Sequence, residues 1–150
     1  MYDSENPELA KNRTRFWLRL LKVTNLVESE IRRRMKAQLN ITLPQFDVMA
    51  ALSGPSQGLR MCDISKKLKV SPGNVTVVVD RLVEQNLAQR LNIPGDRRAL
   101  LVELTDEGRE KFSFYAIKHE AWIDEILDLL SDSEAKSITK VMEKLSKSIM

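Results

Sequence analysis

The chain has 150 residues, 43% hydrophobic and 30% charged, a length that suits one domain or one domain plus a dimerisation element. No apolar run approaches the ~20 residues that cross a bilayer, and the acidic start Met1-Tyr2-Asp3-Ser4-Glu5 is unlike a secretion signal, so a cytoplasmic protein with no membrane partner is expected. One cysteine, Cys62, and one histidine, His119, exclude an internal disulfide and leave too few soft ligands for the usual zinc site, so no metal or other cofactor is expected. The net charge of +3 is unevenly spread: +4 over residues 1–40, −1 over 41–57, +4 over 58–100 and −4 over 101–150. A basic middle beside an acidic last third suggests that one part of the fold faces a polyanion.

From Arg13 to Gln38, Phe16, Leu20, Val23, Val27, Ile31 and Met35 recur every three or four positions, which predicts one long amphipathic helix. Thr42-Leu43-Pro44-Gln45 reads as a capping box opening a short helix that Gly54-Pro55 stops. Cys62 to Leu68 forms a third, short helix, and a tight turn at Lys69-Val70 leads to Ser71-Pro72, an N-cap followed by proline at the first helical position. The new helix runs to about Gln85 with Val75, Val78, Val79 and Leu82 on its apolar face. Leu87 to Ile93 and Leu100 to Leu104 are strand-like runs around Pro94-Gly95-Asp96-Arg97-Arg98, a hairpin with a basic tip. Thr105 then caps a long helix with the stripe Phe112, Tyr115, His119, Trp122, Ile126 and Leu129. Ser131-Asp132-Ser133-Glu134 opens a last helix carrying Ile138, Val141, Met142, Leu145 and Ile149. The expected fold is mainly α with a small β-wing: a winged helix-turn-helix over 41–104, flanked by dimerisation helices over 1–40 and 105–150.

Two short helices, a tight turn and a hairpin in that order read as a helix-turn-helix plus wing, a geometry that suits duplex DNA. The second helix enters the major groove with its N-terminal residues near base edges, while basic side chains hold phosphates. Ser71, Pro72, Gly73, Asn74, Thr76, Val77 and Arg81 are therefore the expected DNA-contacting positions of that helix. Asn74 can pair with adenine, and Thr76 can bond a base or touch a thymine methyl. Arg97 and Arg98 at the wing tip suit a narrow minor groove, with Asp96 bracing an arginine. Taken singly, each of these is also compatible with a solvated turn or an ordinary helix start.

The chain resembles the MarR family of bacterial winged-helix regulators over nearly its whole length. The resemblance is carried by Leu43-Pro44-Gln45-Phe46, by Val70-Ser71-Pro72-Gly73-Asn74-Val75-Thr76 with Asp80-Arg81-Leu82, and most specifically by Asp96-Arg97-Arg98 with Val102-Glu103-Leu104-Thr105-Asp106-Glu107-Gly108. It implies a homodimer, held by its first and last two helices, that reads a pseudo-palindromic operator in double-stranded DNA. It also implies that Asp96 steadies the wing while an adjacent arginine enters the minor groove. Val77 departs from the pattern, because many relatives carry a basic or polar residue there; it can instead meet a thymine methyl.

No aromatic residue falls between Asp47 and Lys111; nearly all lie on the long terminal helices. They can be packing, or they can line an effector pocket, and the family resemblance implies small aromatic acids as ligands. Trp17, Tyr115, His119 and Trp122 are the expected lining, with His119 either a polar contact or a structural side chain. Arg32-Arg33-Arg34 is either a solvated helix face or an anion site. Phe16 to Leu21, Glu30 to Arg34 and His119 to Trp122 further resemble a subgroup regulating aromatic-acid catabolism. Some of its members respond to aromatic acyl-CoA thioesters, whose phosphates an arginine cluster suits. Cys62 opens an alternative, a regulator gated by thiol oxidation, alongside a DNA-binding protein with no small-molecule effector. The chain contains no phosphate-binding glycine loop, metal-ligand cluster or nucleophile-base motif, so the expected function is a ligand-released repressor and not an enzyme.

Overall fold

A computed structural model of the chain describes residues 5–54 and 58–150; for 97–99 it describes the backbone alone. Helix α1 spans Pro7–Arg34 and runs into a π-helical turn, Met35–Leu39, that ends where Asn40 adopts a left-handed φ of 53°. Helix α2 follows at Leu43–Ser53, then strand β1 (Leu59–Arg60), α3 (Met61–Leu68), α4 (Pro72–Glu84), β2 (Ala88–Ile93), β3 (Asp96–Leu104), α5 (Asp106–Ile126) and α6 (Asp132–Ile149). The fold is thus mainly helical with one small antiparallel sheet, ordered β1-β3-β2.

The start signals work as their chemistry requires. Asn6 accepts from the Leu9 N–H and Pro7 occupies the first turn, so α1 begins earlier than its apolar stripe indicates. The Thr42 hydroxyl accepts from the Gln45 N–H while Gln45 Oε1 accepts from the Thr42 N–H, completing the expected box; Ser131 and Glu134 repeat it at α6. The wing turns on Pro94 and Gly95, whose φ is +84°, so the turn is shorter than expected and Asp96 is the first residue of β3, at the wing tip.

The core joins the winged segment to the ends of the long helices. Met35, Met49, Leu52, Ile64, Val79, Leu82 and Val102 are fully buried, and Tyr115 and Trp122 of α5 close the same cluster. Gly108 is required here: a Cβ on it would lie 1.9 Å from the Leu87 carbonyl oxygen, so only glycine lets α5 start against that turn. Thr105 locks the junction, donating its hydroxyl to Asn86 O and accepting from the Gly108 N–H.

The expected apolar stripes behave differently along their length. Along the first stripe, Ile31 of α1 and Met35 of the π-helical turn are buried, while Phe16 and Val23 of α1 are exposed. On α6, Ile138, Val141, Leu145 and Ile149 are exposed, and Leu129 lies beyond the end of α5 and is 94% exposed. No described helix is long and apolar enough to cross a membrane.

Candidate nucleic-acid interface

The turn between α3 and α4 is built by its backbone. Lys69 takes a left-handed φ of 53° and donates its N–H to Lys66 O, while the Val70 N–H goes to Ser65 O. Ser65 is buried and its hydroxyl donates back to Val70 O at 2.6 Å, clamping the turn from inside. Ser71 then caps α4, accepting from the Asn74 N–H, and Pro72 begins the helix.

Five valines make α4 a poor helix in isolation, and packing holds it: Val75, Val79 and Leu82 are buried against α2 and α3. The opposite side therefore faces outward, carrying Gly73, Val77 and Arg81 one turn apart. Val77 is 61% exposed. Thr76 is exposed too, but its hydroxyl donates to Pro72 O at 3.0 Å, so it can offer a base only an acceptor or its methyl. The Arg81 side chain is exposed and has no ion-pair or hydrogen-bond partner among the described residues.

The sheet stands beside this helix. Arg90 of β2 forms an ion pair with Asp80 of α4, tying wing to helix, and Gln89 bonds Glu103 across the strands at 2.7 Å. The expectations at Arg97 and Arg98 lie outside the described side chains, and Asp96 sits exposed at the wing tip with Asn92, Ile93 and Gly95. Arg90 and the short strand β1, which pairs Leu59 and Arg60 with Val102 and Leu101 of β3, were not among the expected features.

The residues expected to hold an effector are not assembled as one lining. Tyr115 and Trp122 are buried in the core with Ile31, Met35 and Phe46, and His119 stacks on Phe46 at 4.8 Å. Trp17 lies outside that cluster and is 55% exposed on α1. The three arginines are occupied by acids: Arg32 by Glu28, Arg33 by Glu30, and Arg34 by both Glu30 and Glu125 of α5. The hydrogen bonds from the Arg33 and Arg34 guanidinium groups hold the Glu30 carboxyl down at about 2. Arg32 instead lines a cleft of about 550 Å³ with Glu28, Asp47 and Val48 and with Asn74, Val75, Val77 and Val78 of α4. Partial desolvation raises the Asp47 carboxyl above its ordinary range, opposed by the charge of Arg32. Glu28 and Asp47 were not singled out in the sequence, because nothing in their spacing places them beside α4.

The sequence pattern of the MarR family matches residues 41–100, the span from α2 to the returning strand of the wing. The chain is 30% identical over 120 residues to the transcriptional repressor MdtR of Bacillus subtilis, covering 80% of this chain and 76% of that protein. Among solved structures, a MarR family regulator from Silicibacter pomeroyi superposes with a TM-score of 0.82 at 27% identity, covering 99% of this chain and all of the other. Sco3205, a MarR family regulator from Streptomyces coelicolor, shares the fold with a TM-score of 0.79 at 21% identity, covering 99% of this chain and 90% of its own. The residues that form the helix-turn-helix and its wing, and the similarity that extends past them into the flanking helices, show that the chain belongs to the MarR family of DNA-binding transcriptional regulators and is not an enzyme.

Proposed function

We propose that the chain is a homodimeric repressor that reads a pseudo-palindromic operator and is released by a small aromatic acid or its CoA thioester. The observation that carries the DNA half is the outward face of α4, held by a closed core and tied to the wing through Asp80 and Arg90. Its contacts come from Ser71, Pro72, Gly73, Asn74, Thr76, Val77 and Arg81, with Arg97 and Arg98 of the wing in the minor groove and Asp96 steadying them. MdtR is named a repressor and Sco3205 is seen in complex with DNA, which supports the same role here.

Dimerisation rests on exposed apolar surface. Trp17, Leu18 and Leu26 of α1, Ile117 of α5 and Ile149 of α6 are each more than half exposed, more apolar surface than a solitary soluble chain ordinarily leaves open. An effector fits best in the cleft between α1, α2 and α4. Its carboxylate would take Arg32 from Glu28 while its ring rests on Val48, Val75 and Val78, and a ligand there touches the helix that reads DNA. The aromatic residues Trp17, Tyr115, His119 and Trp122 then serve packing and dimerisation, and Arg33 and Arg34 fasten α1 internally and to α5.

Operator release measured over a panel of aromatic acids and their CoA thioesters tests the whole reading. Binding that falls steeply with salt, a dimer in solution and release by one member of the panel are expected. Cys62 is exposed at the start of α3, which favours one competing reading. Release by peroxide alone, abolished by Cys62→Ser, would replace the ligand with thiol oxidation.

A further inference from the structure

We infer that the recognition helix reads thymine through its 5-methyl group, with Val77 and the bare Gly73 position forming the apolar contact surface. This rests on the duplex-binding reading above and adds the chemistry of the bases recognised.

Neither residue is explained by folding. Valine is a weak helix former that normally repays its place by burial, yet Val77 is 61% exposed and lies outside the core cluster. Glycine is weaker still, and at Gly73 no special backbone demands it: φ is not positive, and an added Cβ would meet nothing within 4 Å. The two lie one turn apart on the side opposite Val75 and Val79, so together they make a strip with no polar side chain. Asn74 lies to one side of it, toward the cleft with Glu28 and Arg32, and the polar neighbours on the other side have little to offer a base. Thr76 has given its hydroxyl hydrogen to Pro72 O, and Asp80 is engaged by Arg90. Arg81 follows on the next turn, placed to hold a phosphate.

In the major groove the thymine methyl is the one apolar group that the four bases display. A valine set against it buries hydrocarbon on both sides, and the missing Cβ at Gly73 lets the helix backbone come close enough for contact. Set against cytosine, the same valine would cover an amino donor without accepting from it, which costs binding. The strip therefore favours thymine twice, by gain and by penalty.

The test uses the full-length chain and a random duplex library. Enriched duplexes are resynthesised with deoxyuridine in place of thymine, one position at a time, which removes only the methyl. The expected result is a loss of about fourfold at one or two thymines of each half-site, the worth of one buried CH₂ group. In Val77→Ala that loss should largely disappear, and in Val77→Thr, which keeps the shape and one methyl, it should be intermediate. Val77→Thr should melt close to the wild type, since Val77 is exposed, and Val77→Ala slightly above it, alanine being the better helix former. Equal losses in wild type and Val77→Ala, or no sensitive thymine in an enriched duplex, would overturn the thymine reading alone. Failure to enrich any duplex would overturn the DNA-binding reading and this one with it.

Discussion

The winged segment from α2 to β3 and the outer parts of the terminal helices both carry apolar residues at regular spacing, yet they end differently. In the first, Val48, Met49, Leu52, Ile64, Val79, Leu82 and Val102 have almost no exposed surface. In the second, residues spaced just as regularly, such as Leu18, Leu26, Ile138 and Leu145, stay open to solvent. A helical period shows that a face wants burial; it does not say whether the cover comes from the same chain. The winged segment finds its cover internally and can present a fixed surface, whereas the terminal helices carry an open apolar face, which the proposed dimer would cover with a second copy.

The sharpest way to break that contrast is to truncate one leucine on each side. Leu82→Ala should cost about 2–5 kcal/mol, because the fully buried side chain leaves a cavity under the recognition helix. Leu26→Ala, 61% exposed in the single chain, should cost no more than about 0.5 kcal/mol at dilutions where copies separate. Its cost should grow with protein concentration as the face becomes covered. Urea unfolding across a dilution series measures both; a large, concentration-independent loss for Leu26→Ala would remove the distinction. Next in size is Gly108→Ala at the junction of the two regions. Its Cβ would collide with the Leu87 backbone, and a loss of about 1–3 kcal/mol is expected from the forced shift of α5.

The same contrast governs how much was legible in advance. Local signals were realised almost as written: the Thr42/Gln45 and Ser131/Glu134 boxes, the Ser71-Pro72 start and the Thr105 cap all form. These depend on residues three or four apart. Strand β1 was missed because two residues carry no periodicity and are defined only by pairing with β3. The Arg32-Arg33-Arg34 run was half legible. Glu28 and Glu30 lie at helical spacing from it, but Glu125 is 91 residues away from Arg34 and is brought in by packing. The aromatic stripe of α5 was ambiguous for the same reason: burial of Tyr115 and Trp122 is a tertiary outcome. Pocket or core cannot be told from spacing.

A smaller substitution sharpens the comparison inside the winged segment itself. Gly108 and Gly73 are both helical glycines, one demanded by a close backbone and one with open space around it. Gly73→Ala should therefore stabilise the fold by up to about 1 kcal/mol, the helix-propensity difference, while weakening operator binding. Parallel melting and gel-shift measurements separate the two effects. Destabilisation by Gly73→Ala would mean that the fold, and not the surface it presents, needs that glycine.

The smallest effects expected are those of pH, and the two regions should respond with opposite sign. Glu30 of α1, held by Arg33 and Arg34, binds its proton at about 2 instead of 4.5. An unfolded chain takes up that proton first, so the stability contributed by Glu30 is present above 4.5 and is lost as pH falls toward about 2. The pair is at the surface, so the slope should be shallow and should flatten further in Glu30→Gln or in high salt. Asp47 of α2 is shifted upward by desolvation, so the folded chain holds its proton more tightly than the unfolded one. Its contribution therefore runs the other way: stability is lost as pH rises from the ordinary aspartate range through the raised value, and Asp47→Asn should relieve that loss at neutral pH. Urea midpoints of the two variants, followed across the acidic range, should diverge from the wild type in opposite directions, Glu30→Gln falling below it above 4.5 and Asp47→Asn rising above it toward neutrality.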